Sequence, residues 1–203
     1  MDLNDEDGGN RRFIVVQLPE PLPQPGVLKD GTNLQTIADI GVQRVVRVIL
    51  RLRKRSREQL DLQPGIKQDL GFKYFRLRPS NFQSWVAEDP DTSPADYSVQ
   101  LELLADPLIS GWTPINVIHE LSVKEGLSLT SSINAEDVNG VRAWSIVDKD
   151  KGQSIRICLV DALSLDVVRA LSLTRDDLFV CRDVALDDTA AANLALQCHL
   201  KTI

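Results

Sequence analysis

An α/β fold is what this 203-residue sequence predicts, on three observations. Phe13-Ile-Val-Val16 is a continuous apolar run of strand formers entered through the polar turn Gly8-Gly9 and ended by Gln17, the pattern of a parallel strand buried on both faces. Residues 33–57 then switch to helical spacing, and from residue 142 onward strand and helix patterns alternate. Ligands collect beyond the carboxyl ends of parallel strands, which places Gln17 and Glu20 at a binding edge.

In chain order, Pro19 to Gly31 carries four prolines and reads as a turn-rich connector that excludes helix. Leu34, Ile37, Gly41, Val45, Val48, Ile49 and Leu52 line one face of a helix running from Asn33 to about Arg57. Arg44, Arg47, Arg51, Lys54 and Arg55 keep the same spacing on another face, either as a solvated surface or as a stripe that meets a phosphate backbone. After Gln63-Pro-Gly, the alternation of Phe72, Tyr74 and Arg76 with Lys73, Phe75 and Leu77 predicts a strand whose aromatics pack in a core. Ser80 to Trp85 reads as a capped turn, and residues 88–94 as an acidic surface connector.

The second part opens with helices over Ala95–Leu108 and Pro114–Glu125, the latter stopped by Gly126. Strands follow at Arg142–Val147 and Ser154–Val160 about an Asp148–Gly152 turn. A helix at Leu165–Leu173, a strand at Leu178–Cys181 and a closing helix at Thr189–Lys201 complete a small α/β unit with a partly parallel sheet.

Charge divides the chain. Residues 11–80 hold 14 Lys plus Arg against 6 Asp plus Glu, whereas residues 81–203 hold 9 against 19, so the net charge of -6 conceals a basic and an acidic part. The basic part suits phosphates and the acidic part suits proteins or solvent. No apolar run reaches the roughly 18 residues of a membrane span, and the amino terminus is acidic where a secretory signal is basic, so a cytoplasmic protein is expected. Cys158, Cys181 and Cys198 lack zinc-site spacing and read as reduced core thiols. His119 and His199 have no triad or metal partners at a useful spacing, Glu120 and Glu125 fall on different sides of one helix, and Asp148, Asp150 and Gly152 suit a hairpin turn. Asp176-Asp177 and Asp187-Asp188 read as caps or turns.

Four blocks then resemble a known family in its own order: Glu6-Asp-Gly-Gly-Asn-Arg-Arg-Phe-Ile-Val-Val-Gln-Leu-Pro-Glu-Pro21, Thr36-Ile-Ala-Asp-Ile-Gly41, Leu70-Gly-Phe-Lys-Tyr-Phe-Arg-Leu-Arg-Pro-Ser-Asn-Phe82 and Val117-Ile-His-Glu-Leu-Ser-Val-Lys-Glu-Gly-Leu-Ser-Leu-Thr130. They look like the carboxyl-terminal part of site-specific adenine-N6 DNA methyltransferases, the modification subunits of type III restriction systems. Asp106-Pro-Leu-Ile-Ser-Gly-Trp112, Ile157-Cys-Leu-Val160 and Val180-Cys-Arg-Asp183 through Asn193 are similar to its later segments.

The resemblance implies a partial Rossmann-like methyltransferase segment (residues 1–86), an acidic connector and helix (87–112) and a small α/β domain (113–203). It implies S-adenosylmethionine as cofactor, DNA as substrate and a flipped adenine as target. In the family a Phe-x-Gly-x-Gly turn holds the cofactor and an Asp-Pro-Pro-Tyr-like loop holds the adenine amine. Neither motif occurs in this sequence, so the chain is expected to be inactive alone and to need an amino-terminal methyltransferase half, a restriction subunit, or both. By alignment of the first strand, Gln17 takes the place of the residue that accepts hydrogen bonds from the cofactor ribose, with Glu20 as a second candidate. A non-catalytic module, with the basic helix on DNA and the acidic unit on a protein, is the alternative.

Overall fold

The computed structural model describes residues 4, 7–9, 11–58, 70–84, 93, 98 and 106–203, with backbone only for 55–58. Most of the predicted 95–108 helix lies outside them, as does Trp85. The fold is mixed α/β, in two compact units, Met1–Arg76 and Leu77–Ile203.

In the first unit, β1 (Pro21–Val27) pairs antiparallel with β2 (Asn33–Thr36), with a register shift between Pro21 and Gly26. The connector is therefore partly a strand. Its prolines stand at alternate positions, so they remove ladder donors along one edge only. Helix α1 (Ile37–Glu58) begins later than its apolar spacing suggests, because Thr36 and Asp39 build a reciprocal cap. Asp39 Oδ2 accepts from Gln35 N at 3.0 Å and Thr36 N at 2.9 Å, and Thr36 Oγ1 accepts from Asp39 N at 3.2 Å. Its inner face is Val42, Val45, Val46, Ile49 and Leu52, while Ile37 and Val48 are exposed.

Two predicted strands are absent. Phe13–Val16 has no regular structure and is 59% to 89% exposed, since a run apolar on both faces needs a sheet neighbour and none of the described residues pairs with it. Residues 71–80 carry no strand, and Phe72, Tyr74, Phe75 and Leu77 are exposed instead of packed in a core. An apolar alternation states what a segment buries when a neighbour is present, and supplies no neighbour itself.

The second unit is a five-stranded sheet in the order β3 (Ser132–Val138), β4 (Val141–Asp148), β5 (Gln153–Cys158), β6 (Leu178–Cys181) and β7 (His199–Thr202). The first three strands are antiparallel and the last three parallel, joined through α3 (Leu165–Ala170) and α4 (Asp188–Ala195). Asn139 and Gly140, at φ 52° and 81°, make the tight turn between β3 and β4.

Helix α2 (Pro114–Lys124) starts with Pro114 in its first turn and ends at Gly126, whose φ of 77° lets Leu127 N reach Ser122 O at 2.8 Å. One core cluster joins its Val117, Ile118 and Leu121 to Ile146, Ile155, Ile157 and Val180 of the sheet. A second joins Ala143, Cys158, Phe179 and Cys181 to Leu171, Leu194 and Cys198. Because β5 and β6 contribute to both, Ile157-Cys158 and Phe179-Val180-Cys181 are apolar at every position. The closing helix is shorter than its periodicity suggests: α4 ends at Ala195, and residues 199–202 are an edge strand whose Leu200 packs beside the second cluster.

Candidate functional site

The basic face of α1 is formed as the sequence predicts for three of its five members. At about 100° per residue, Arg44, Arg47 and Arg51 fall within roughly 60° of one another, opposite Val45 and Ile49. All three are exposed. Lys54 is exposed one turn further on, and Arg55 lies in the stretch of α1 described by backbone alone. Nearby, the Thr32 hydroxyl and amide hold the Asp30 carboxyl below its usual range, with Arg47 adding to the effect. One carboxylate therefore offsets part of a face that is otherwise cationic. Such a face draws a polyanion from within a Debye length, about 8 Å at physiological salt.

Gln17 and Glu20 are both exposed. The Gln17 side-chain amide donates to Leu18 O at 3.2 Å, which leaves its carbonyl oxygen directed elsewhere as an acceptor. Glu20 is tied through its backbone, where its carbonyl accepts from Ile37 N at 2.9 Å at the start of α1. The two residues thus sit on one short extended segment between the apolar run and β1. They offer hydrogen-bond acceptors, as ribose hydroxyls require, and no described backbone turn beside them supplies a cluster of donors.

The titratable groups of the second unit are engaged in holding the fold. Partial burial works to raise the Glu120 carboxyl, but hydrogen bonds from Ser80 Oγ (2.5 Å), Asn81 N (2.7 Å), Lys124 Nζ (2.9 Å) and Asn81 Nδ2 (2.9 Å) outweigh it and bring it down to about 2. Sequence spacing correctly separates Glu120 from Glu125, which meets Lys201, but gives no sign that Glu120 clamps a turn forty residues away. Arg182, just past β6, is nearly buried against Asp106 at 2.8 Å and against Asp161, 5.9 Å from the Trp112 ring centre. Nothing in the sequence spacing marks that pairing either. His199 is exposed on the edge strand and His119 is half-buried on α2. Asp187 caps α4 through Ala190 N at 2.7 Å, and Asp177 Oδ2 accepts from Thr174 N and Oγ1, as turn and cap residues should. No group of three or more His, Cys, Asp or Glu among the described residues is placed to hold a metal. No helix among the described residues is long and apolar enough to cross a membrane.

No family model matches the chain, and no solved structure matches it. Over 77 residues it is 34% identical to the type III restriction-modification enzyme StyLTI Mod subunit of Salmonella typhimurium. That stretch is 38% of this chain and 11% of the Salmonella protein, so the chain is similar to a small part of a much longer relative.

Proposed function

We propose that this chain is the carboxyl-terminal portion of a site-specific DNA adenine-N6 methyltransferase of a type III-like restriction-modification system, whose glycine turn and catalytic loop lie outside these 203 residues. The observation that carries the reading is the 77-residue similarity to the Mod subunit. These 203 residues contain no Phe-x-Gly-x-Gly turn and no Asp-Pro-Pro-Tyr-like loop, so by themselves they should not transfer a methyl group. Residues 1–86 then complete a Rossmann-like methyltransferase domain, 87–112 connect it, and 113–203 form the accessory domain.

S-adenosylmethionine supplies an electrophilic methyl group when bound. Gln17 and Glu20 provide acceptors for its ribose hydroxyls. Arg44, Arg47, Arg51, Lys54 and Arg55 neutralise phosphates of the duplex around the flipped adenine. The reading is checked by tritium transfer from S-adenosylmethionine to DNA. These residues alone should transfer none, and transfer by the purified chain would overturn the reading that the catalytic loop lies outside them.

The second reading, a non-catalytic module that bridges DNA and a restriction or modification subunit, is favoured by the exposed arginine face of α1 together with the acidic second part. It predicts retention of duplex DNA without cofactor. Replacing Arg44, Arg47 and Arg51 by Ala should lower the slope of log K against log salt by up to about 2.7, near 0.9 for each lost phosphate contact. An unchanged slope removes the α1 face from DNA binding under either reading.

A further inference from the structure

Between α3 and α4, beside the loops that follow β5 and β6, the second unit has an open groove of about 220 Å³. One wall is apolar: Leu163, Val168 and Leu186 are half-buried and Leu165 is 60% exposed. Along α4 the exposed side chains of Thr189, Asn193 and Gln197 line the other wall and make no hydrogen bond to any described residue. We propose that this groove binds an extended segment of a partner protein in which apolar and basic side chains alternate. Such binding stands apart from both readings of the α1 face, because a peptide occupies this groove whether or not the chain retains DNA.

Size, spacing and charge each narrow the occupant. A cofactor or drug-sized ligand fills roughly 300–1,000 Å³, more than this groove encloses, whereas one or two apolar side chains of a polypeptide fit it. Thr189 and Asn193 lie one turn apart on α4, and Gln197 follows in the turn that closes it, so the three recur at four-residue intervals, about 6 Å along a helix axis. An extended chain repeats every two residues, at roughly 6.6–6.8 Å, and its successive backbone units come level with successive side chains of α4. A side-chain amide both donates and accepts, which matches the N–H and C=O of each unit. A helical partner keeps those groups in its own hydrogen bonds and leaves the α4 row unused. Every second side chain of an extended segment then enters the apolar wall. Charge decides the others. Residues 161–169 and 186–197 carry Asp161, Asp166, Asp187 and Asp188 against Arg169. Arg182 takes Asp161 and Arg169 stands 3.7 Å from Asp166, while Asp187 and Asp188 have no ion pair among the described residues. A second copy laid groove to groove sets these carboxylates against each other, and basic side chains of a partner meet them instead.

The probes are fluorescein-labelled, end-blocked hexapeptides, read by anisotropy against the full chain: alternating Lys-Leu, alternating Glu-Leu, alternating Lys-Ser, and Lys-Leu with N-methylated leucine amides. Lys-Leu should bind. Asn193→Ala with Gln197→Ala, both at exposed positions and therefore keeping the parent melting temperature, should weaken it at least about 10-fold. N-methylation, which removes backbone donors, should weaken it to a similar extent, and Glu-Leu and Lys-Ser should bind at least about 10-fold more weakly than Lys-Leu. Equal binding of Lys-Ser would reduce the effect to charge alone. Equal binding by the double variant, or of the methylated peptide, would remove the row of backbone contacts. Either result overturns the proposal, as does the absence of Lys-Leu binding. Sedimentation of the chain alone as a dimer that the double variant dissociates would give the groove to a second copy and overturn it too.

Discussion

Asp148 accepts four hydrogen bonds with two oxygens. Oδ2 receives Ser128 N at 2.7 Å and Ser128 Oγ at 2.6 Å, and Oδ1 receives Asp150 N at 3.0 Å and Lys151 N at 3.2 Å. These donors, Ser128 foremost, bring its carboxyl from the usual range to about 2. The unfolded carboxyl titrates near 3.9, so its contribution to stability is complete above that pH and is lost as pH falls toward 2. Asp148→Asn should lower the melting temperature at pH 6, and the gap from the parent protein should shrink between pH 4 and pH 2. A gap that stayed constant with pH would show that the ionised form contributes nothing. The three thiols make a second test at this scale. Burial raises all of them, and for Cys181, with Cys158, Asp183 and Cys198 adding to the effect, the pKa is pushed up to about 12. Ellman's reagent at pH 8 should find no reactive thiol in the native protein and three after unfolding.

The elements legible in the sequence are those whose signals are local. Pro114 and Gly126 bracket α2, and the apolar runs at Ile157–Val160 and Leu178–Cys181 name β5 and β6. The missed strands are made by pairing with a neighbouring strand and carry no apolar pattern of their own. The edge strands β3 and β7 are mostly polar, and only the Asn139-Gly140 turn could have announced β3. The same dependence on a neighbour accounts for Phe13–Val16 and residues 71–78, which read as strands and stand without one. Of the candidate site, the arginine face was legible because it is a property of a single helix. The Glu120 and Arg182 contacts were not, because they are made across the fold. Phe179 tests the sheet itself: fully buried on β6 between two parallel neighbours, its replacement by Ala should cost about 3–5 kcal/mol. The urea midpoint should move with the slope unchanged.

Across the whole molecule, apolar burial is uneven. Among the described residues, Ile49 is the one buried apolar side chain of the first unit, and every other core residue belongs to the second. Trypsin should therefore cut early at the arginines of residues 44–53 and leave a resistant product containing residues 107–203. Uniform protection of the whole chain would contradict this distribution of burial. The sheet of the second unit has a further consequence, in time. Strands β3 to β5 are joined by tight turns and need only short loop closures, whereas β6 and β7 join in parallel through helical crossovers. Loop-closure entropy delays such pairing, so the antiparallel half should form first on refolding. Trp144, central in β4, should report that early phase before the Phe179 side of the sheet gains exchange protection, which makes the meander a nucleus on which the parallel half condenses.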